Sequence, residues 1–139
     1  SPGGDGDKVV SVDYMGNIGR NAAEVSEGAE VGIISYGSND PAIVEARSRL
    51  AQAGLRTSYL RLRALPLTEA VRDFVNGHLE VVVVEMNSDA QMCQLLRLHV
   101  PERAADIVPV NHSDGLPLTA RWVTEHVMAA VKAAQPKES

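Results

Sequence analysis

Leu79-Glu80-Val81-Val82-Val83-Val84-Glu85 sets four valines in a row between two glutamates. β-Branched side chains at every position, rather than at alternate ones, suit a strand buried on both faces, as in a parallel sheet covered by helices on each side. We place this strand at the centre of the fold. Upstream, Thr57 to Arg63 alternates, with Leu60 and Leu62 pointing one way and Tyr59, Arg61 and Arg63 the other, so this strand is expected to be half exposed or to meet a partner. Earlier still, Val31-Gly32-Ile33-Ile34 is a short apolar run ended by Tyr36-Gly37-Ser38-Asn39, which reads as a buried strand running into a loop.

Helices fill the intervals. Asp40 can cap a helix with Pro41 at its first position, where the missing N–H costs nothing. Ile43, Ala46, Leu50 and Ala53 then share a face, and Gly54 is placed for a left-handed cap. Thr68 opens a second helix with Val71, Phe74 and Val75 inward, and Gly77 stops it. Beyond the valine run, a helix from about Asp89 to His99 should turn Met92, Leu95 and Leu96 inward, and a short strand follows near Ile107 to Val110. The last helix runs from Thr119 to about Ala133, with Val123, Val127, Ala130 and Val131 on its apolar side. Such alternation predicts an α/β fold of three layers: a mainly parallel sheet of about five strands with helices on both faces.

Six of the 11 glycines fall in the first 29 residues, so residues 1–28 read as a linker or N-terminal extension, interrupted by a possible short strand from Val9 to Tyr14. The α/β domain is expected over residues 29–135, and 136–139 form a tail. The opening Ser1-Pro2-Gly3-Gly4 suits an excised piece of a longer protein.

Composition narrows the function classes. A hydrophobic share of 45% is enough to build a core, and no apolar run approaches the roughly 18 residues of a membrane span, so a soluble domain is expected. A formal charge of −5 argues against nucleic acid as a partner, and Arg47, Arg49, Arg56, Arg61, Arg63 and Arg72 are interleaved with apolar residues in the manner of a solvated face. Cys93 is the sole cysteine, which leaves no thiol set for a zinc or iron–sulfur site and fits a reducing cytoplasm. It reads as a packed or interfacial thiol rather than a nucleophile. His78, His99, His112 and His126 lack metal-ligand spacing and read as solvated or capping residues. Ser38, His112 and Asp114 form a triad only on paper, because no G-x-S-x-G elbow surrounds the serine. Gly4-Asp5-Gly6 opens like a thiamine diphosphate motif but lacks both the preceding strand and the later asparagine. Tyr36-Gly37-Ser38-Asn39 has one glycine and reads as turn chemistry rather than a phosphate loop.

The loops after the strands should converge at one end of the sheet. We take Gly37, Ser38, Asn39, Glu85, Asn87, Ser88, Asp89, Gln91 and Asp114 as a candidate docking or ligand crevice, with no catalytic and no metal residues. Small neutral hydrogen-bonding side chains dominate this set, which suits an interface better than proton transfer.

Several stretches in order resemble the C-terminal, transketolase C-terminal-like domain of the α subunit of 2-oxoacid:ferredoxin oxidoreductases. They are Ile33-Ile34-Ser35-Tyr36-Gly37-Ser38 with Ala42-Ile43-Val44-Glu45-Ala46, then Leu60-Arg61-Leu62-Arg63-Ala64-Leu65-Pro66, then Val84-Glu85-Met86-Asn87-Ser88-Asp89-Ala90-Gln91, and finally Asp114-Gly115-Leu116-Pro117-Leu118-Thr119-Ala120. The resemblance covers about residues 30 to 128. Leu95-Leu96-Arg97-Leu98 and the Asp114-Gly115-Leu116-Pro117 ending look most like the 2-oxoglutarate members. The family commonly has glycine where this chain has Ala90. The resemblance implies a parent enzyme that uses thiamine diphosphate, Mg²⁺ and an iron–sulfur cluster to convert a 2-oxoacid and CoA into acyl-CoA, CO2 and reduced ferredoxin. It also implies that this domain carries no cofactor itself and contacts the missing N-terminal domains of the α subunit and the β subunit. A free-standing nucleotide- or CoA-binding module and a protein-binding adaptor are the alternatives.

Overall fold

A computed structural model describes residues 7–11, 22–36, 40–62, 65–86, 90–112, 115 and 117–134. Six strands form one sheet: β1 (Asp7–Ser11), β2 (Ala22–Ser26), β3 (Val31–Tyr36), β4 (Thr57–Leu62), β5 (Glu80–Glu85) and β6 (Ile107–Asn111), in the spatial order β1-β2-β4-β3-β5-β6. The neighbouring pairs β4/β3, β3/β5 and β5/β6 are parallel, whereas β2 lies antiparallel to both β4 and β1. Four helices connect or follow the parallel strands: α1 (Asp40–Gln52), α2 (Glu69–Asn76), α3 (Gln91–His99) and α4 (Ala120–Ala134). A 3-10 segment, Pro101–Asp106, leads into β6.

The alternation of β5 across the sheet separates two cores. Val81 and Val83 join Ile34, Leu60, Leu62 and Ile107 beneath α2 and α3, which contribute Val71, Phe74, Val75, Met92, Cys93 and Leu96. Val82 and Val84 join Val31, Ile33 and Tyr59 beneath α1 and α4, which contribute Ile43, Ala46, Leu50, Val123, Val127 and Val131. Every residue of β5 is buried, glutamates included, so the valine run is the doubly covered strand that its composition predicts, although it lies second from the β6 edge rather than at the centre of the sheet. Packing of α2 on β3 is close: a Cβ on Gly32 would stand 2.8 Å from Phe74 Cε1 and 3.3 Å from His78 Cγ.

The expected α/β architecture is present, with six strands in place of about five. The extra strand comes from the segment read as a linker. β2 pairs through Ala22–Glu24 with Tyr59–Arg61, Ala23 is 2% exposed in the core, and the Ser26 N–H donates to Ser58 Oγ at 3.1 Å. The compact body therefore begins well before Ala29, and β1 lies within the expected extension, starting at Asp7 rather than Val9. Flanked by β2 and β3, β4 is an interior strand rather than a half-exposed one, its outer side covered by β2 of the same chain; Tyr59 is buried and shares a 2.7 Å hydrogen bond with Ser35 Oγ. Arg63 lies outside the described residues.

Other expectations shift by a residue. On α3 the buried positions are Met92, Cys93 and Leu96, while Leu95 is exposed. Two of the arginines assigned to a solvated face are internal clamps. Arg47 bonds Glu24, Ser26 Oγ, Thr57 Oγ1 and the Thr57 carbonyl, tying α1 to β2 and β4; Arg72 reaches Glu102 and the His99 carbonyl. His78 and His112 are buried rather than solvated. His78 Nδ1 stands 2.7 Å from the Phe74 carbonyl oxygen, and burial lowers its pKa, with the Arg103 charge adding to the effect.

Candidate functional site

The order β4-β3-β5-β6 fixes where a crevice can open. From β3 the chain goes to β4 on one side, then crosses back to β5 on the other. The connections leaving the carboxyl ends of β3 and β5 diverge to α1 and α3 on opposite faces, which is where ligands enter open α/β sheets. Tyr36 at the end of β3 is 42% exposed, Met86 just beyond β5 is 40% exposed, and Leu65, after β4, is 49% exposed. The described part of this rim therefore carries exposed apolar side chains beside the polar Asn111 and Gln91, which are exposed as well.

Glu85 ends β5 with its side chain on the α2/α3 face and only 4% exposed. Its two carboxylate oxygens accept the backbone N–H groups of Met92 at 3.0 Å and Cys93 at 2.8 Å. A strand-end carboxylate thus occupies the positive end of α3 and satisfies two of its free donors, so that helix terminus already holds an anion. The chain makes this contact through an unusual residue. Ala90, which precedes α3, has φ 52 and ψ 40, the sole non-glycine among the described residues with positive φ. Ala90 thus holds a backbone conformation that glycine favours, with a methyl group added.

Beside it, the His112 N–H donates to the Glu85 carbonyl at 2.8 Å and extends the β5/β6 ladder by one residue. The imidazole is buried, edge-on to Trp122 at 4.8 Å, and Trp122 in turn stacks on His126 at 3.9 Å. Trp122 belongs to the first turn of α4, where its backbone N–H donates to Thr119 Oγ1, so this ring stack fixes the approach of α4 to the crevice.

Of the residues assigned to the crevice by sequence, Glu85 and Gln91 are described. Gln91 is exposed at the start of α3. Glu85 faces inward and serves the helix, a role that its place after an apolar strand did not reveal. Gly37, Ser38, Asn39, Asn87, Ser88, Asp89 and Asp114 lie outside the described residues, and so does the paper triad apart from His112. The apolar part of the rim was missed, although Tyr36 and Met86 each directly follow a buried strand core in the sequence.

Cys93 is 1% exposed with Sγ 3.6 Å from the Ile107 carbonyl; burial pushes the thiol pKa up, so the group packs rather than reacts. Among the described residues, no three His, Cys, Asp or Glu side chains are grouped to hold a metal ion, and no helix is long and apolar enough to cross a membrane.

Comparison with known proteins fits this geometry. The chain is 33% identical over 86 residues to "2-oxoacid:ferredoxin oxidoreductase 2, subunit alpha" of Aeropyrum pernix, a match that covers 60% of this chain and 13% of that protein. Its fold superimposes with a TM-score of 0.69 and 29% identity on the 2-oxoglutarate:ferredoxin oxidoreductase of Magnetococcus marinus, solved with 2-oxoglutarate, coenzyme A and succinyl-CoA bound. The chain's relatives are 2-oxoacid:ferredoxin oxidoreductase subunits. The second match covers 80% of this chain and 19% of the Magnetococcus chain, so the sequence spans well under a quarter of either relative, as a single domain of these oxidoreductases would. The α chain of a probable 2-oxoacid ferredoxin oxidoreductase from Thermoplasma acidophilum scores 0.48 at 18% identity over 81% of this chain and 97% of that one, a level that decides neither fold nor function. No family model matches the chain.

Proposed function

We propose that this chain is the C-terminal domain of an oxidoreductase α subunit and that it serves assembly rather than chemistry. The parent enzyme would use thiamine diphosphate, Mg²⁺ and an iron–sulfur cluster to turn a 2-oxoacid, 2-oxoglutarate in the first instance, and CoA into acyl-CoA, CO2 and reduced ferredoxin in the cytoplasm. The observation that carries this reading is the apolar part of the rim. Tyr36, Leu65 and Met86 project from the carboxyl end of a domain whose relatives are several times longer. Exposed apolar side chains gathered at one end suit burial against the rest of a subunit. Leu95 and Leu98 on α3, 41% and 79% exposed, extend apolar surface along that helix.

Two features of the described residues support the reading that the cofactors are held elsewhere. The single cysteine is buried in a core, and the α3 N-terminus, which could have met a diphosphate, is filled by Glu85.

The test is reconstitution of the full α subunit with its β subunit. Tyr36→Ser with Met86→Ser should weaken association roughly tenfold or more, as loss of buried apolar anchors does, while the melting temperature of the 139-residue chain changes little. Assembly and turnover at the wild-type level would reject the docking role. Tight binding of CoA by the isolated chain would instead favour the CoA-module alternative, for which the CoA-bound Magnetococcus enzyme is the supporting observation.

A further inference from the structure

At the other end of the sheet lies a partly open pocket of about 210 Å³, lined by Glu30, Val31, Leu79, Glu80, Ala105, Asp106, Val131 and Ala134. It sits at the amino ends of β3 and β5, under the last turn of α4. Its lining divides into two parts. Val31, Ala105, Val131, Ala134 and the 69% exposed Leu79 supply apolar surface; Glu30, Glu80 and Asp106 supply carboxylates.

Glu80 separates this pocket from an ordinary acidic surface. It is 8% exposed, and its Oε2 has no hydrogen-bond partner among the described residues. Leaving a carboxylate oxygen buried and unbonded is costly unless something else supplies the missing partner. The adjacent cation is already committed: Arg103 bonds Asp106 at 2.8 Å and donates to the carbonyls of Val75, His78 and Leu79. Lys132 is on the same last turn of α4 but does not line the pocket. The carbonyl end of α4 adds partial negative charge.

From these features we infer that the pocket binds an alkylammonium group, with the cation on Glu80 and its aliphatic stem along Leu79, Val31 and Val131. A bare divalent ion fits less well, because no metal-competent group of three side chains is present among the described residues and five of the eight lining residues are apolar. Burial and the neighbouring Asp106 already raise the Glu80 pKa, and a bound cation would lower it again, making occupancy visible on the carboxyl group itself. Asp106 is the charged group that enters this balance; Glu30 shares the pocket lining, and Arg103 is bonded to Asp106.

The experiment is an NMR titration of the 139-residue chain with n-butylammonium chloride at neutral pH, with n-butanol as the uncharged control. Saturable shifts at Glu30, Glu80, Asp106 and Ala134, a fall in the Glu80 pKa on binding, and roughly tenfold weaker binding in Glu80→Gln are expected, the loss of one charged contact. Leu79→Ser, at an exposed position, should weaken binding without altering the fold and serves as the second variant. Comparison with Nα-acetyl-lysine methylamide identifies the source. Equal or tighter binding points to a partner's lysine side chain, and preference for the free amine points to a small metabolite. Overturning results would be no saturable shift, equal binding of butanol, or unchanged affinity in Glu80→Gln.

Discussion

Glu80 and Glu85 stand at the two ends of one strand, are both almost fully buried, and have opposite circumstances. Five residues apart, they project from opposite faces of the sheet. Glu85 spends both oxygens on the backbone of α3. Glu80 has an oxygen without a partner among the described residues, in a pocket that also holds Asp106. The first carboxylate is part of the scaffold; the second is a charge that the scaffold does not answer. The strand's amino-acid pattern is symmetric, glutamate at each end, so the asymmetry comes wholly from the neighbouring helices: α3 starts beyond Glu85, and α4 ends beside Glu80.

The largest effect should come from placing a third carboxylate between them. Val83→Asp buries a charge with neither a helix terminus nor a pocket and costs several kcal/mol, on the order of a domain's whole stability. The variant should fail to show a cooperative thermal transition, and a soluble protein with a sharp melt would contradict the burial of β5 between the two helical layers.

Next comes Glu85→Ala, which leaves the Met92 and Cys93 N–H groups buried without their acceptor. A loss of about 2 kcal/mol is expected in urea denaturation. A variant as stable as wild type would show that the cap contributes nothing.

Glu80 should show a smaller effect of opposite sign. Its folded pKa is raised from the ordinary 4.5, chiefly by desolvation, so the protonated form is the one that folding favours. The stability it contributes is therefore present below pH 4.5 and is lost as pH rises through the higher folded value. Glu80→Gln should remove this slope and gain about 1 kcal/mol at neutral pH. Parallel stability–pH curves for wild type and variant would break the contrast between the two glutamates.

The smallest effect concerns the backbone that delivers α3 to Glu85. Ala90→Gly should relieve the left-handed strain yet loosen the unfolded chain, for a net gain of about 0.5 kcal/mol. A destabilised variant would mean that the Ala90 methyl group's packing outweighs the strain.

Much of this contrast was hidden in the sequence. The core of β5, the spacing of Val71, Phe74 and Val75, and the order of helices and strands were legible, because apolar periodicity is a local signal. β2 was not, because Ala22–Ser26 becomes a strand only through its long-range pairing with β4 and the reach of Arg47 to Glu24 and Ser26. Leu95, expected inward, is exposed because a helix only nine residues long leaves its rotation to the sheet beneath it. Of the crevice, the position was legible from the β-α alternation. The inward turn of Glu85 was not, since a glutamate after a strand ordinarily reads as the first polar residue of a loop.

The edge formed by β6 carries one more consequence. Pro109 sits opposite Val83 in the register, in the last strand of the sheet. With no N–H to offer, it breaks the outward row of donors that an arriving chain would need to extend the sheet. A foreign strand laid along β6 would lose a rung midway, which guards the fold against fibril-like stacking at that side.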